Sequence, residues 1–311
     1  MLRAEPGFAA DLPVIRIGVL KFGTARWEMA VIADEIDQRH GFRLKTAELA
    51  DKDAASVALL AGQVDVIVTD WLWVAKQRQR GRRYTFFPFS NAVGAVMAHP
   101  SADIRSVSDL KGRRLGIAGG ATDKSWILLQ AFARKSGDFD LAASADVQFA
   151  APPLLNELLL RRRLDAVLTF WQFAARLADQ GMQPVAKIAD ILPALGLTTP
   201  PPLLGWVFDE DWAGRHAALA GGFLDASREA KQAMKARDDV WQTLRPMMAA
   251  ATDHEFALLR HGYQEGIPSG DEGADIAAAE KTFELMREFT PAAVADLDAL
   301  PAGTFWQDRR P

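Results

Sequence analysis

Cysteine is absent from the 311 residues, which removes disulfides, thiolate metal sites and cysteine nucleophiles from consideration together. Long apolar runs are missing too. A stretch such as residues 64–68, interrupted by Asp65, falls far short of the ~20 residues of a membrane helix. Charge of one sign is also lacking: the net charge is −4, and the Arg-rich stretches at 78–83 and 161–163 are offset by acids elsewhere. They read as solvated helix ends, and nucleic acid is not an expected partner. No G-x-S-x-G, H-E-x-x-H or P-loop spacing occurs. His40, His99, His216, His254 and His261 are scattered, and although His254 and His261 are placed to share a helix face, no further metal ligands accompany them. No catalytic residue, metal or cofactor is expected. What is present is ordinary globular material, 49% hydrophobic and 24% charged, long enough for two lobes.

Short β-branched runs alternate with longer amphipathic stretches, the pattern of βαβ units and a mostly parallel sheet. Strands are expected at 14–19, 43–48, 64–69, 84–88, 92–98, 114–118, 146–149, 165–169, 185–188 and 203–208. Beyond Asp211 the pattern becomes helical, with helices expected at 217–236, 240–250, 254–263 and 275–289. The fold class is therefore α/β with a C-terminal helical layer.

An internal repeat carries the most information. Residues 64–81 read VDVIVTDWLWVAKQRQRG and residues 164–181 read LDAVLTFWQFAARLADQG. Asp65, Thr69, Trp71, Ala75 and Gly81 match Asp165, Thr169, Trp171, Ala175 and Gly181 at a constant offset of 100. A weaker repeat sets IRIGVLKFGTARW beside RRLGIAGGATDKSW, aligning Gly18 with Gly116, Thr24 with Thr122 and Arg26 with Lys124. Two similar α/β halves follow. In open parallel sheets, ligands bind beyond the carboxyl ends of the strands, where loops lead into helix N-termini.

The stretch SVSDLKGRRLGIAGG at 106–120 resembles the signature that opens the second lobe of type II periplasmic binding proteins, and GVLKFGTARWE resembles the nitrate, taurine and alkanesulfonate branch of that family. The likeness covers residues 14 to 290. It implies a two-lobed binding-protein fold: lobe 1 from residues 14–98 and 203–301, lobe 2 from 99–202, and hinge crossings near 96–100 and 199–204. It also implies the solute-binding component of an ABC importer, periplasmic, monomeric, not an enzyme, partnered by the permease's transmembrane subunits and their ATPase. Residues 1–13 end in small residues like a signal peptide without its apolar region, and read either as the remnant of an export signal or as a cytosolic tail. The family also suggests a thiamin-pyrimidine-synthase-like enzyme, whose cysteine-rich iron motif this chain cannot form. A ligand-sensing domain is a further alternative.

Candidate contacts gather at the strand ends. Gly120, Thr122 and Lys124 lie at a turn where free N–H groups favour an anion, although Thr122 or Asp123 could equally cap the helix. Lys21, Thr24 and Arg26 occupy the matching turn of the first half, where Arg26 suits an oxyanion or a surface ion pair. Trp27, Trp71 and Trp171 are expected to line an aromatic cleft, since nine tryptophans against two tyrosines is a lopsided ratio. Trp126 is expected to pack beneath its helix. Asp70, where the other half has Phe170, either caps its helix or meets a cationic group. Asn156 and Thr169 complete the ligand set, and the expected solute is a small organic anion or zwitterion, sulfonate- or taurine-like.

Overall fold

All ten expected runs become strands: β1 (Val14–Leu20), β2 (Arg43–Leu49), β3 (Val66–Thr69), β4 (Tyr84–Ser90), β5 (Ala95–Ala98), β6 (Arg114–Ala118), β7 (Asp146–Ala150), β8 (Ala166–Thr169), β9 (Gln183–Lys187) and β10 (Leu204–Asp209). The computed structural model describes residues 12–307, so nearly all of the expected export-signal remnant at 1–13 lies outside the described residues. Two five-stranded sheets form, ordered β2-β1-β3-β10-β4 and β7-β6-β8-β5-β9. β1 pairs in parallel with β2 and β3, and β6 with β7 and β8, whereas β5 runs antiparallel to β8 and β9. The chain divides into two compact units, residues 12–67 with 208–240 and residues 68–207 with 241–307.

The repeat has a shared physical basis inside each unit. In the first, the Asp65 carboxylate accepts hydrogen bonds from the backbone N–H of Arg16 and from its guanidinium, with Nη2 to Oδ1 at 2.6 Å. In the second, Asp165 holds Arg114 through the same three bonds, with Nη2 to Oδ1 at 2.7 Å. The bidentate Arg114 guanidinium keeps the Asp165 carboxyl below the usual carboxylate range, opposing the effect of partial burial. This fork joins the first strand of each half to the strand that ends in the candidate site. It also explains why β3 and β8 start just after their aspartates.

The second sheet is covered on both faces, as parallel strands require. Leu115, Ile117 and Leu168 pack with Leu128 and Leu129 on one side. Val167 packs with Leu155, Leu159, Leu164 and Leu177 on the other. Gly116 faces that second layer, where an added Cβ would stand 2.7 Å from Leu155 Cδ2 and from Leu164 Cδ1. Its repeat partner Gly18 has the same crowding against Leu49 and Ile67. We expect Gly116→Ala to lower the unfolding free energy by about 1–3 kcal/mol, the usual cost of overpacking, read from the urea midpoint.

After β10 every regular element among the described residues is helical, including Ala217–Ala236, Asp238–Met248, Asp253–Glu265 and Glu272–Phe289, so the helical layer forms as expected. The capping box of Ser106 and Asp109 is present. Thr252 caps the Asp253–Glu265 helix by accepting from the Glu255 N–H at 2.9 Å. Among the described residues no helix is long and apolar enough to cross a membrane.

Candidate functional site

Three strand ends of the second unit supply the groups that matter. β3 ends at Thr69; Asp70 follows in an extended conformation, and its Oδ1 accepts from the Trp73 N–H at 2.9 Å, so the helix-capping reading of Asp70 holds. β6 runs into Gly119 and Gly120, both at positive φ (84° and 86°), where an L side chain is strained. That turn delivers Asp123, which caps the Lys124–Gly137 helix by accepting from the Ser125 and Trp126 N–H groups at 2.9 and 3.2 Å. Thr122 is exposed. β8 ends at Thr169, and Phe170 occupies the cap of the Trp171–Asp179 helix, which has no side-chain cap bond.

The strand register brings two of these ends together, with Leu168 of β8 beside Ile117 of β6 and Thr169 beside Ala95 of β5. A side-chain contact joins the third. Lys124 Nζ lies 2.9 Å from Asp70 Oδ1, and both side chains are 7% exposed. The same ammonium stands 5.5 Å from the centroid of the Trp71 ring. Lys124 is the first residue of its helix, where the dipole disfavours a cation. Asp70 and the indole face supply the compensation that burial there requires.

At and just beyond the ends of β3 and β8 lie buried polar groups that find no hydrogen-bond partner among the described residues: the hydroxyls of Thr69 and Thr169 and the indole N–H of Trp71. All three residues are 1% exposed or less. Each can donate, and an unsatisfied buried donor costs about 1–3 kcal/mol. Thr69 was part of the repeat but not of the expected ligand set; the signal that could have found it is its match to Thr169.

Several expected contacts have other employment. Asn156 donates from Nδ2 to the Phe173 carbonyl at 3.0 Å, tying together the Pro152–Leu160 and Trp171–Asp179 helices, while its buried Oδ1 has no partner among the described residues. Trp71 is fully buried, and Trp126 is buried as expected. Trp171 is partly exposed, lying edge-on to Tyr263 with centroids 6.4 Å apart, and it lines a cavity of about 440 Å³ that also includes Asn91, Ala174, Ala178 and Gly262.

In the first unit, Lys21 is exposed and Arg26 donates to the Lys21 carbonyl at 2.6 Å while pairing with Glu48 at 2.9 Å. That is the ion-pair alternative for Arg26. Thr24 sits at the cap of the Ala25–Val31 helix without a side-chain bond, and Trp27 is 5% exposed. Arg26 and Lys124 are not structural counterparts. The Ala25–Val31 helix starts one residue before Arg26, whereas Lys124 itself starts the other helix, because the Gly119–Gly120 turn is one residue longer. Trp27 and Trp126 are the true equivalents, third in each helix and both buried. Trp27 and Trp71 are shielded from solvent without any ligand.

Among the described residues no cluster of three or more His, Asp or Glu is placed to hold a metal ion. Close structural likenesses are numerous. The alkanesulfonate-binding protein SsuA from Xanthomonas axonopodis pv. citri bound to MOPS is 17% identical, with a TM-score of 0.69 over 96% of this chain and 99% of that one. The periplasmic aliphatic sulphonate binding protein SsuA from Escherichia coli is 16% identical, with a TM-score of 0.73 over 95% and 98%. The desulfurization enzyme DSZB is 12% identical, with a TM-score of 0.60 over 89% and 92%. The fold is thus the two-lobed type II periplasmic-binding-protein fold that the sequence led us to expect. No curated protein sequence matches the chain. The NMT1/THI5-like family model matches residues 38–239. That match spans well over half of the sequence, and the chain belongs to the NMT1/THI5-like family.

Proposed function

We propose that this protein is the solute-binding component of an ABC importer, capturing a small organic solute with an acceptor-rich, sulfonate-like head and handing it to a membrane permease and its ATPase. The observation that carries this reading is the set of buried donors without partners, the Thr69 and Thr169 hydroxyls and the Trp71 indole N–H, beside a buried lysine. Three donors call for a ligand rich in acceptors, as a sulfonate or carboxylate is. Thr169 stands two residues before a helix whose first N–H groups lack a side-chain cap. A bound oxyanion would meet those groups too. The likeness to two alkanesulfonate-binding proteins agrees with this choice of head group.

The rest of the assignment belongs to the same proposal. The protein acts as a periplasmic monomer, with lobes at 14–98 plus 203–301 and at 99–202, and hinge crossings near 96–100 and 199–204. Gly120, Thr122, Lys124, Thr169 and Asp70 act at the head-group end. Trp71, Asn156 and Trp171 support or line that site, and the turn carrying Lys21, Thr24, Arg26 and Trp27 is the candidate contact turn of the first unit.

Calorimetry against nitrate, taurine, alkanesulfonates, aryl sulfonates and amino acids tests the reading. Thr169→Val keeps the side-chain shape and removes the hydroxyl, and should weaken binding of the best sulfonate about tenfold, the worth of a hydrogen bond to a charged group. Unchanged affinity in that variant would remove Thr169 from the site. An enzymatic use of the fold has one point in its favour, the likeness to a desulfurization enzyme. Mass spectrometry of each bound solute after overnight incubation separates the two: intact recovery supports capture, and a changed mass supports turnover.

A further inference from the structure

The two halves of the repeat are alike in their scaffold and differ at one contact. Asp70 has Phe170 as its counterpart, and Lys124, first in its helix, has Ala25. Both departures from the duplicated pattern meet each other at 2.9 Å. The scaffold itself shows no need for the pair, because the Trp171–Asp179 helix forms with Phe170 at its cap and the Ala25–Val31 helix forms with alanine in first position. A buried lysine at a helix N-terminus is disfavoured by the dipole and by desolvation alike, so it is a costly feature.

We infer that Asp70 is a specificity-determining residue, holding Lys124 so that a lone inorganic oxyanion is rejected and only a solute that also brings its own donor or cationic group is accepted. This rests on the reading of the chain as a binder of sulfonate-like solutes. An ammonium alone would attract any anion. With a carboxylate 2.9 Å away the pair has no net charge, its field falls off faster than that of a single ion, and an incoming anion meets Asp70 as well as Lys124. A solute with a cationic or N–H group beside its sulfonate satisfies both members. One without such a group leaves the Asp70 carboxylate facing like charge.

The experiment compares nitrate, ethanesulfonate and taurine by calorimetry on the wild-type protein, on Asp70→Asn and on Asp70→Asn/Lys124→Gln, each first shown to be folded by circular dichroism at the titration temperature. Asparagine keeps the cap to Trp73, since an amide oxygen also accepts. Wild type should favour taurine. In Asp70→Asn the preference for taurine over ethanesulfonate should fall at least tenfold and nitrate binding should strengthen; in the double variant that gain for the anions should vanish, because the freed cation is gone. If wild type binds taurine or ethanesulfonate and the ratio between them does not move in Asp70→Asn, the inference is wrong and the sulfonate reading stands. If wild type binds none of the probes, the sulfonate reading falls and takes the inference with it. Should Asp70→Asn fail to fold, the double variant decides: retention of the wild-type preference for taurine overturns the inference, and its loss supports it.

Discussion

Glu28→Gln should destabilise the protein by about 3–5 kcal/mol at neutral pH, the usual cost of removing one partner of a buried ion pair. In the first unit Glu28 is fully buried and its carboxylate meets Lys231 Nζ at 2.6 Å and the Ser227 hydroxyl at 2.5 Å, while Lys231 donates to Ser227 at 2.9 Å. The network joins the Ala25–Val31 helix to the Ala217–Ala236 helix, so its loss acts on the packing of both. Burial already pulls Lys231 below its ordinary 10.5, and Glu28 is what pulls it back up. Without Glu28 the folded protein releases that proton more readily, whereas the unfolded chain keeps it up to about 10.5. Over that window the unfolded state binds more protons, so stability rises with pH. The deficit in urea midpoint should therefore shrink between pH 7 and pH 9.5. A deficit that stays constant across that range would mean that Lys231 keeps its charge and finds compensation elsewhere.

Neither Glu28 nor Lys231 stands out in the sequence, and the reason is physical. Each is a long charged residue in a helical stretch, and nothing in its spacing says that the helix will turn it inward. The strands were legible because a short β-branched run bounded by turn residues has few other ways to bury itself. The duplication was legible because Asp65 and Asp165, Thr69 and Thr169 fall at one offset. That the aspartates each grip an arginine two residues before a glycine, Arg16 before Gly18 and Arg114 before Gly116, emerges only once β1 lies beside β3 and β6 beside β8. The alignment of Arg26 with Lys124 failed for a local reason. A single extra residue in a turn at positive φ rotates the following helix start by one position, and a sequence comparison without gaps cannot see it. The burial of the tryptophans was not legible for a different reason. An indole at the start of a helix is equally at home in a cleft or under the helix, and the composition that raised the count says nothing about which side it faces.

The Asp70–Lys124 contact should show itself as one energetic unit. Lys124→Met takes the cation from a carboxylate that is 7% exposed, and Asp70→Asn takes the carboxylate from an ammonium that is equally buried. Each single change should lower the unfolding free energy by about 3–5 kcal/mol. The double variant Asp70→Asn/Lys124→Met leaves no uncompensated charge. It replaces the lysine stem with an apolar chain of similar length over the Trp71 ring, and asparagine still caps the helix at Trp73. It should therefore be more stable than either single variant, because the desolvation of both charges disappears with their attraction. Urea unfolding of the four proteins gives the coupling energy directly, provided the slopes agree. If the two single losses simply add in the double variant, the pair is not a unit, and Lys124 must be held by its other neighbours. If the double variant is restored in stability yet binds solutes without regard to their charge, then the pair contributes selectivity at the expense of stability, and the departure from the duplicated scaffold at these two positions has its physical explanation.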